Sequence, residues 1–314
     1  MTVGRRRARA RAPRALVLVA AALAATAACS AAGDGPGGGP AGRSAAGGPS
    51  AAAPSATAAG RISLPIDRFT LTADESYAVE RAKVLLTNEC LRGFGLDYRV
   101  PESPPPTAEP SRRYGIADRE AARDRGYHLP ASTGRSGAPA AEPTETQAVV
   151  LLGTTRAGEP RSTTADGRPI PPGGCYGEAE TRLDGGARPE SDIAAASAVD
   201  TDSYKQSLED PTVTAVFHSW SACMERHGHH YESPIASVGD KAFDTAEPTP
   251  RERAVALADV GCKTETGLLQ TWTAAESAIQ TRMIGEKSAV LDRLTAFQKR
   301  KITTAREAIA RLGR

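Results

Sequence analysis

Apolar residues return at helical spacing through most of the chain beyond residue 70, and cap and turn residues mark where each run starts and stops. Thr72-Ala73-Asp74-Glu75 is a capping box: the threonine hydroxyl takes an orphan N–H while the glutamate reaches back. Ala78, Ala82, Leu85 and Leu86 then share one face. Asp210-Pro211 supplies an N-cap and a proline at the first helical position. Val213, Val216, Phe217, Trp220, Cys223 and Met224 follow at i, i+3, i+4, i+7, i+10 and i+11, an amphipathic stripe. Thr249-Pro250-Arg251-Glu252 is a second capping box and launches a helix over Ala254–Leu269. Beyond it Trp272, Ala275 and Ile279, then Val290, Leu291, Leu294, Phe297, Ile302, Ala305, Ile309 and Leu312, keep the spacing with no proline after Pro250. An unbroken helix from Thr249 to Leu312 would run roughly 90 Å; the alternative is a bend or hairpin near Gly285.

Shorter elements fill the region between. Asp118–Arg125 predicts a short helix ended by Gly126-Tyr127, and Glu178–Leu183 another. Thr144–Leu152 reads as a helix in preference to a strand, and Thr164–Ile170, with Asp166-Gly167, as a turn or small hairpin. Pro101–Pro110 excludes regular structure, and Ala131–Pro143 is low in complexity. The fold class is mainly α.

Four cysteines follow residue 60, in two kinds of context. Cys90-Leu91 and Cys223-Met224 each continue with three residues, a glycine, two residues and a tyrosine (Gly95, Tyr98; Gly228, Tyr231). Gly174-Cys175 and Gly261-Cys262 each continue to a glutamate three residues on, Glu178 and Glu265. Four cysteines allow three pairings, and spacing alone does not choose among them. The order of contexts suggests an internal duplication, and the pairing most consistent with it is Cys90–Cys175 and Cys223–Cys262. That reading gives two disulfide-stapled helical halves, residues 61–190 with Pro/Gly-rich insertions and residues 191–314 with a long C-terminal helix or helical hairpin. Gly95 and Gly228 are the expected helix stops, and each following tyrosine is expected to pack back on the helix end.

The N-terminus changes the picture of compartment. Arg5, Arg6, Arg7, Arg9, Arg11 and Arg14 precede an Ala/Leu/Val core over Ala15–Ala25, and Thr26-Ala27-Ala28 leads into Cys29. This is the tripartite layout of a secretory signal, residues 1–28, ending in a lipobox-like site. Thr26 stands where leucine is commonest, and the plainer alternative is a secretory peptide cut near Ala28 with Cys29 incidental. Ala15–Ala28 is too short to span a bilayer as an ordinary helix. The expectation is a diacylated Cys29 anchoring the chain at the outer face of the cytoplasmic membrane. Residues 29–60, rich in Ala, Gly, Pro and Ser, form a linker. Export also suits an even number of cysteines. The formal charge of +2 falls to −4 once the six signal arginines leave, so no basic stripe for nucleic acid is expected, and the charges of the body are mixed in sign as on a solvated surface.

Candidate chemistry is sparse. His227, His229 and His230 cluster, with His218 nine residues before His227, and a metal site is the sharp reading of them. Such sites need three or four convergent ligands, and a polar loop is the simpler reading. The Gly-x-Ser-x-Gly, Ser-x-x-Lys, His-Glu-x-x-His and Walker patterns are all absent. Glu178 and Glu265 are expected to cap helices or pair with Lys or Arg rather than to catalyse. Trp220 and Trp272 sit on apolar faces and belong to the core. No cofactor is expected.

Leu64-Pro65-Ile66-Asp67, Cys90-Leu91-Arg92-Gly93-Phe94-Gly95, Arg113-Tyr114-Gly115-Ile116, Pro171-Pro172-Gly173-Gly174-Cys175, Gly177-Glu178-Ala179 and Ala258-Asp259-Val260-Gly261-Cys262-Lys263 carry a resemblance. Over roughly residues 62–290 the chain resembles a family of secreted lipoproteins from high-GC actinobacteria such as streptomycetes. The resemblance implies an exported, membrane-tethered, disulfide-bearing helical protein. It implies no catalytic residues, since the family has no established activity. His227-Gly228-His229-His230 departs from it, an aromatic being expected beside the glycine, and argues against a family-wide metal role.

The leading functional expectation is therefore a non-enzymatic binding or accessory protein at the cell surface, with a possible envelope protein as partner. The alternative is an envelope enzyme whose site lies where the two halves meet; its mark would be a concave cleft with convergent titratable groups. A solute receptor ranks last, because alternating strands and helices are missing.

Overall fold

The computed structural model describes residues 62–107, 110–130 and 141–313; the signal region, Cys29 and the linker lie outside them, as does most of the low-complexity stretch. The described chain is helical. A 3₁₀ turn at Pro65–Phe69 leads into α1 (Ala73–Gly93), α2 (Arg119–Arg125), α3 (Glu145–Leu152), α4 (Gly174–Asp184) and α5 (Glu190–Leu208). Then come α6 (Pro211–Arg226), α7 (Pro234–Val238), a second 3₁₀ turn at Lys241–Phe243, α8 (Pro250–Glu265), α9 (Leu268–Glu286) and α10 (Ser288–Leu312). Among the described residues β pairing is confined to two isolated bridges, Thr154 with Pro160 and Thr163 with Pro169. The second closes the expected turn at Asp166-Gly167, with Thr164 N–H donating to the Arg168 carbonyl at 2.9 Å.

Local chemistry sets the helix starts. Thr72 and Thr249 accept from the N–H of Glu75 and Glu252, and each glutamate returns the bond. Asp210 accepts from the N–H groups of Thr212 and Val213 with Pro211 at the first position. Thr144 caps α3 and Asp118 caps α2. The stops after the two Cys-large-apolar motifs are alike. Gly95 N–H donates to Arg92 and Leu96 N–H to Leu91; Gly228 N–H donates to Glu225 and His229 N–H to Met224. Both are Schellman closures, and they need the positive φ of Gly95 (+74°) and Gly228 (+77°). Tyr98 then packs against the cluster holding Leu91, and Tyr231 against the one holding Met224.

The disulfides are Cys90–Cys175 and Cys223–Cys262, the pairing that the repeat favours. The likeness stops at the second cysteine: Cys175 opens α4, whereas Cys262 lies in the last turn of α8.

Three expectations change. The helix expected over Ala254–Leu269 ends at Glu265; Thr266 caps it, its hydroxyl bonding the Cys262 carbonyl at 2.8 Å, and Gly267 takes φ +65°. The bend offered as the alternative near Gly285 is present and falls at Lys287, with Gly285 itself still helical. A continuous rod is replaced by three helices, because Cys262 must stay on α6 while α9 packs on both α5 and α6. Helix α5 had no counterpart in the apolar pattern. Its buried stripe is Asp192, Ala196, Val199, Ser203 and Ser207, too polar and too small to register as amphipathic.

Packing crosses the boundary at 190/191. Helix α10 lies on α1 and α4, burying Val79, Ala82, Leu86, Leu183 and Ala305. Helix α2 lies on α8, within a core that gathers Tyr114, Tyr127, Val213, Trp220, Met224 and Trp272. Each half is completed by the other.

Candidate functional site

The segment from Arg112 to His128 enters the second half and meets its buried acids. Glu276 on α9 is fully buried. It accepts from Arg113 (Nε at 3.1 and 3.0 Å), from the Tyr114 hydroxyl at 2.6 Å and from Ser203 Oγ at 2.9 Å. Arg113 also reaches the Asp200 carboxylate at 2.9 Å and its carbonyl at 2.8 Å. Burial works against the Arg113 charge, but Glu276 and Asp200 outweigh it and its pKa rises. Burial, then Glu276, pushes the Tyr114 hydroxyl up. Tyr114 stacks on Trp272 with ring centroids 4.4 Å apart, and Trp272 Nε1 donates to Ser207 Oγ at 2.7 Å.

A second buried acid, Asp259, accepts from Lys263 at 2.9 Å, Trp220 Nε1 at 3.0 Å and the Tyr127 hydroxyl at 3.2 Å. Lys263 is itself 1% exposed and donates to the Ile116 carbonyl at 2.9 Å. Burial pushes the Asp259 carboxyl up; Lys263, Trp220 and Tyr127 pull it back. A third, Glu252, accepts the Tyr127 N–H at 2.7 Å and meets His128 Nδ1 at 2.8 Å, while His128 Nε2 meets the Thr245 carbonyl at 2.8 Å.

Titratable groups thus converge where the halves meet, as an enzyme built there would require. The cleft does not accompany them. All three carboxylates are fully buried and each is taken up by several donors of the chain itself. The three larger hollows, of about 410, 420 and 470 Å³, are lined by none of these acids. The arrangement ties the 112–128 segment into place and leaves no unpaired acid or base for a substrate.

Among the described residues, no three of His218, His227, His229 and His230 bring their ligand atoms together. His227 caps α6 and is exposed, as are His230 and His218; His229 is half-buried. Burial, then the neighbouring His227, Arg251 and His230 charges, lowers the His229 pKa. The one set of three ligand atoms found within 4.8 Å among the described residues is Cys223, His227 and Cys262. Its two sulfurs are bonded to each other and offer no thiolate. Glu265 pairs with Arg226, as expected of a surface acid, and Glu178 sits half-buried on α4.

The largest of these hollows is a groove of about 470 Å³ between α1, α4, α5 and α10. Val79, Leu183, Leu294 and Phe297 give it an apolar floor. Its charged rim is internally matched: Lys83 lies 2.9 Å from Glu80 and 3.9 Å from Glu180, and Lys301 lies 2.5 Å from Asp184. An apolar floor with a neutralised rim suits a protein surface or an uncharged apolar group.

The sequence assigns no role at this junction to Tyr127, His128 or Glu276; Arg113, Tyr114, Asp259 and Lys263 stand in it only as parts of the resemblance, and Glu252 only as a cap. The i, i+4 spacing of Asp259 and Lys263 was a usable signal. No helix among the described residues is long and apolar enough to cross a membrane. No family model, curated protein or solved structure matches the chain.

Proposed function

We propose that this chain is an exported lipoprotein, held by acyl chains on Cys29 at the outer face of the cytoplasmic membrane, and that it acts there as a non-enzymatic binding or accessory protein. The observation that carries the non-enzymatic part is the state of Glu276, Asp259 and Glu252, each fully buried and spent on internal bonds. The tripartite N-terminus and two internal disulfides support the compartment. The groove between α1, α4, α5 and α10 is the concave surface on offer to a protein partner.

Two measurements test this. Intact mass of the protein from cells, before and after reduction, reads the acyl group on Cys29 and the two disulfides together; an unmodified chain that retains residues 1–28 sinks the reading. A photo-crosslinker at Gln298, on the groove, should capture one protein reproducibly, and the same group at His218 should not. Equal, diffuse capture at both positions counts against a partner in the groove.

A further inference from the structure

Charge is segregated along this chain. Residues 62–286 carry 23 Lys and Arg against 34 Asp and Glu, while α10 carries six cations against Asp292 and Glu307. The buried face of α10 is apolar (Leu291, Leu294, Phe297, Ile302, Ala305, Ala308) and holds the helix against the body. Its opposite face is of mixed charge with cations in excess. Lys299, Arg300 and Arg306 are exposed, and none of them makes an ion pair among the described residues. At one end of the helix Glu89 is shared by Arg182 and Arg311, which leaves a surplus positive charge there too. Among the cations stand Thr303, the small Ala296 and Ala310, and two exposed acids, Asp292 and Glu307, which the exposed cations Arg293, Lys299, Arg300, Arg306 and Arg311 outnumber.

We infer that the solvent face of α10 docks on the anionic headgroups of a phospholipid membrane. Cations within a Debye length of such a surface, about 8 Å at physiological salt, are attracted to it. The strongly acidic remainder is repelled, so the two parts together set one orientation, with α10 towards the membrane. The reach is available: 32 residues separate Cys29 from Ile62, and they can span at most about 110 Å. The inference rests on the anchoring reading for its location alone; the charge complementarity stands without it.

The test uses the full mature chain with Cys29→Ala, so that no acyl group contributes. It is mixed with vesicles of phosphatidylcholine alone, or of phosphatidylcholine with phosphatidylglycerol, at low and near-physiological salt. Expected is co-sedimentation with the phosphatidylglycerol vesicles only, weakening as salt rises. Lys299→Gln/Arg300→Gln/Arg306→Gln should lower that binding by about 100-fold. The control Lys205→Gln/Lys241→Gln/Arg156→Gln, equal in charge and on other elements, should bind as the parent does. Equal binding to both vesicle types, binding indifferent to salt, or an equal loss in the control overturns the inference. So does salt-sensitive self-association without vesicles that disappears in the α10 variant, which would assign the face to the acidic side of a second copy. A chain found unacylated in cells would remove the anchor and leave the vesicle result standing.

Discussion

The guanidinium of Arg113 lies against the carboxylate of Glu276, 163 residues further along the chain, with Nε 3.1 and 3.0 Å from its two oxygens. Glu276 is fully buried, and Arg113 is its one cationic partner among the described residues. Arg113→Met should therefore cost about 3–5 kcal/mol, the range for leaving a buried charge alone. Arg113→Lys should recover only part, since an ammonium cannot fork across both oxygens. Met at both positions should cost less than Arg113→Met by itself. Urea midpoints at constant slope read all three; equal stability of Arg113→Met and the parent would show the pair to be idle.

Asp259 and Lys263 form a second buried pair one helical turn apart on α8. Lys263→Met should cost about 3–5 kcal/mol, and Asp259→Asn added to it should recover part, with a coupling of about 0.5–3 kcal/mol. Asp259 keeps Trp220 and Tyr127 as donors, which limits the loss. Its folded pKa is already raised by burial. Without Lys263 it rises further, and the single variant should gain stability as pH falls below neutral. A thermodynamic cycle with additive terms would contradict the pairing.

Much of this fold is local enough to read from the chain. Thr72, Asp210 and Thr249 announce their helices because a cap needs only its next three residues. The two Schellman stops follow from Gly95 and Gly228 for the same reason. What stayed hidden is non-local or polar. Helix α5 is buried through hydrogen bonds, Ser203 donating to Glu276 and Trp272 donating to Ser207, and hydrophobic periodicity does not register those. The breaks at Gly267 and Lys287 answer to contacts far away in the chain, the Cys223–Cys262 bond to α6 and the packing of α9 on α5 and α6. Arg113 and Glu276 share no pattern in sequence, so the lock between the halves appears only in three dimensions.

The two disulfides should differ in how fast they are reduced in the native state. Cys223 and Cys262 are both fully buried. Cys175 is buried too, but Cys90 is part-exposed and gives an attacking thiolate a route in. Mild reductant should open Cys90–Cys175 first, as read by differential alkylation and peptide mass. Chain-entropy arguments put the stability lost at about 4–5 kcal/mol for loops of these lengths. Simultaneous opening would mean that reduction waits for global unfolding.

His128 faces two acceptors, the Thr245 carbonyl at Nε2 and the Glu252 carboxylate at Nδ1. A neutral imidazole has one N–H and cannot donate to both. The Thr245 and Glu252 bonds, with the Glu252 and Glu247 charges, raise its pKa against a small opposing effect of burial. A histidine raised on folding adds stability that is fully present below its ordinary value of about 6.5 and is lost as pH climbs through the folded value. The protein should accordingly weaken over that window, and α2 should loosen from α8, since Tyr127 N–H shares the same Glu252 oxygen. His128→Gln offers one donor nitrogen that does not titrate, and should flatten the slope while lowering stability at acid pH. Urea midpoints at intervals across the window, parent beside variant, decide it: parallel curves would place the proton elsewhere.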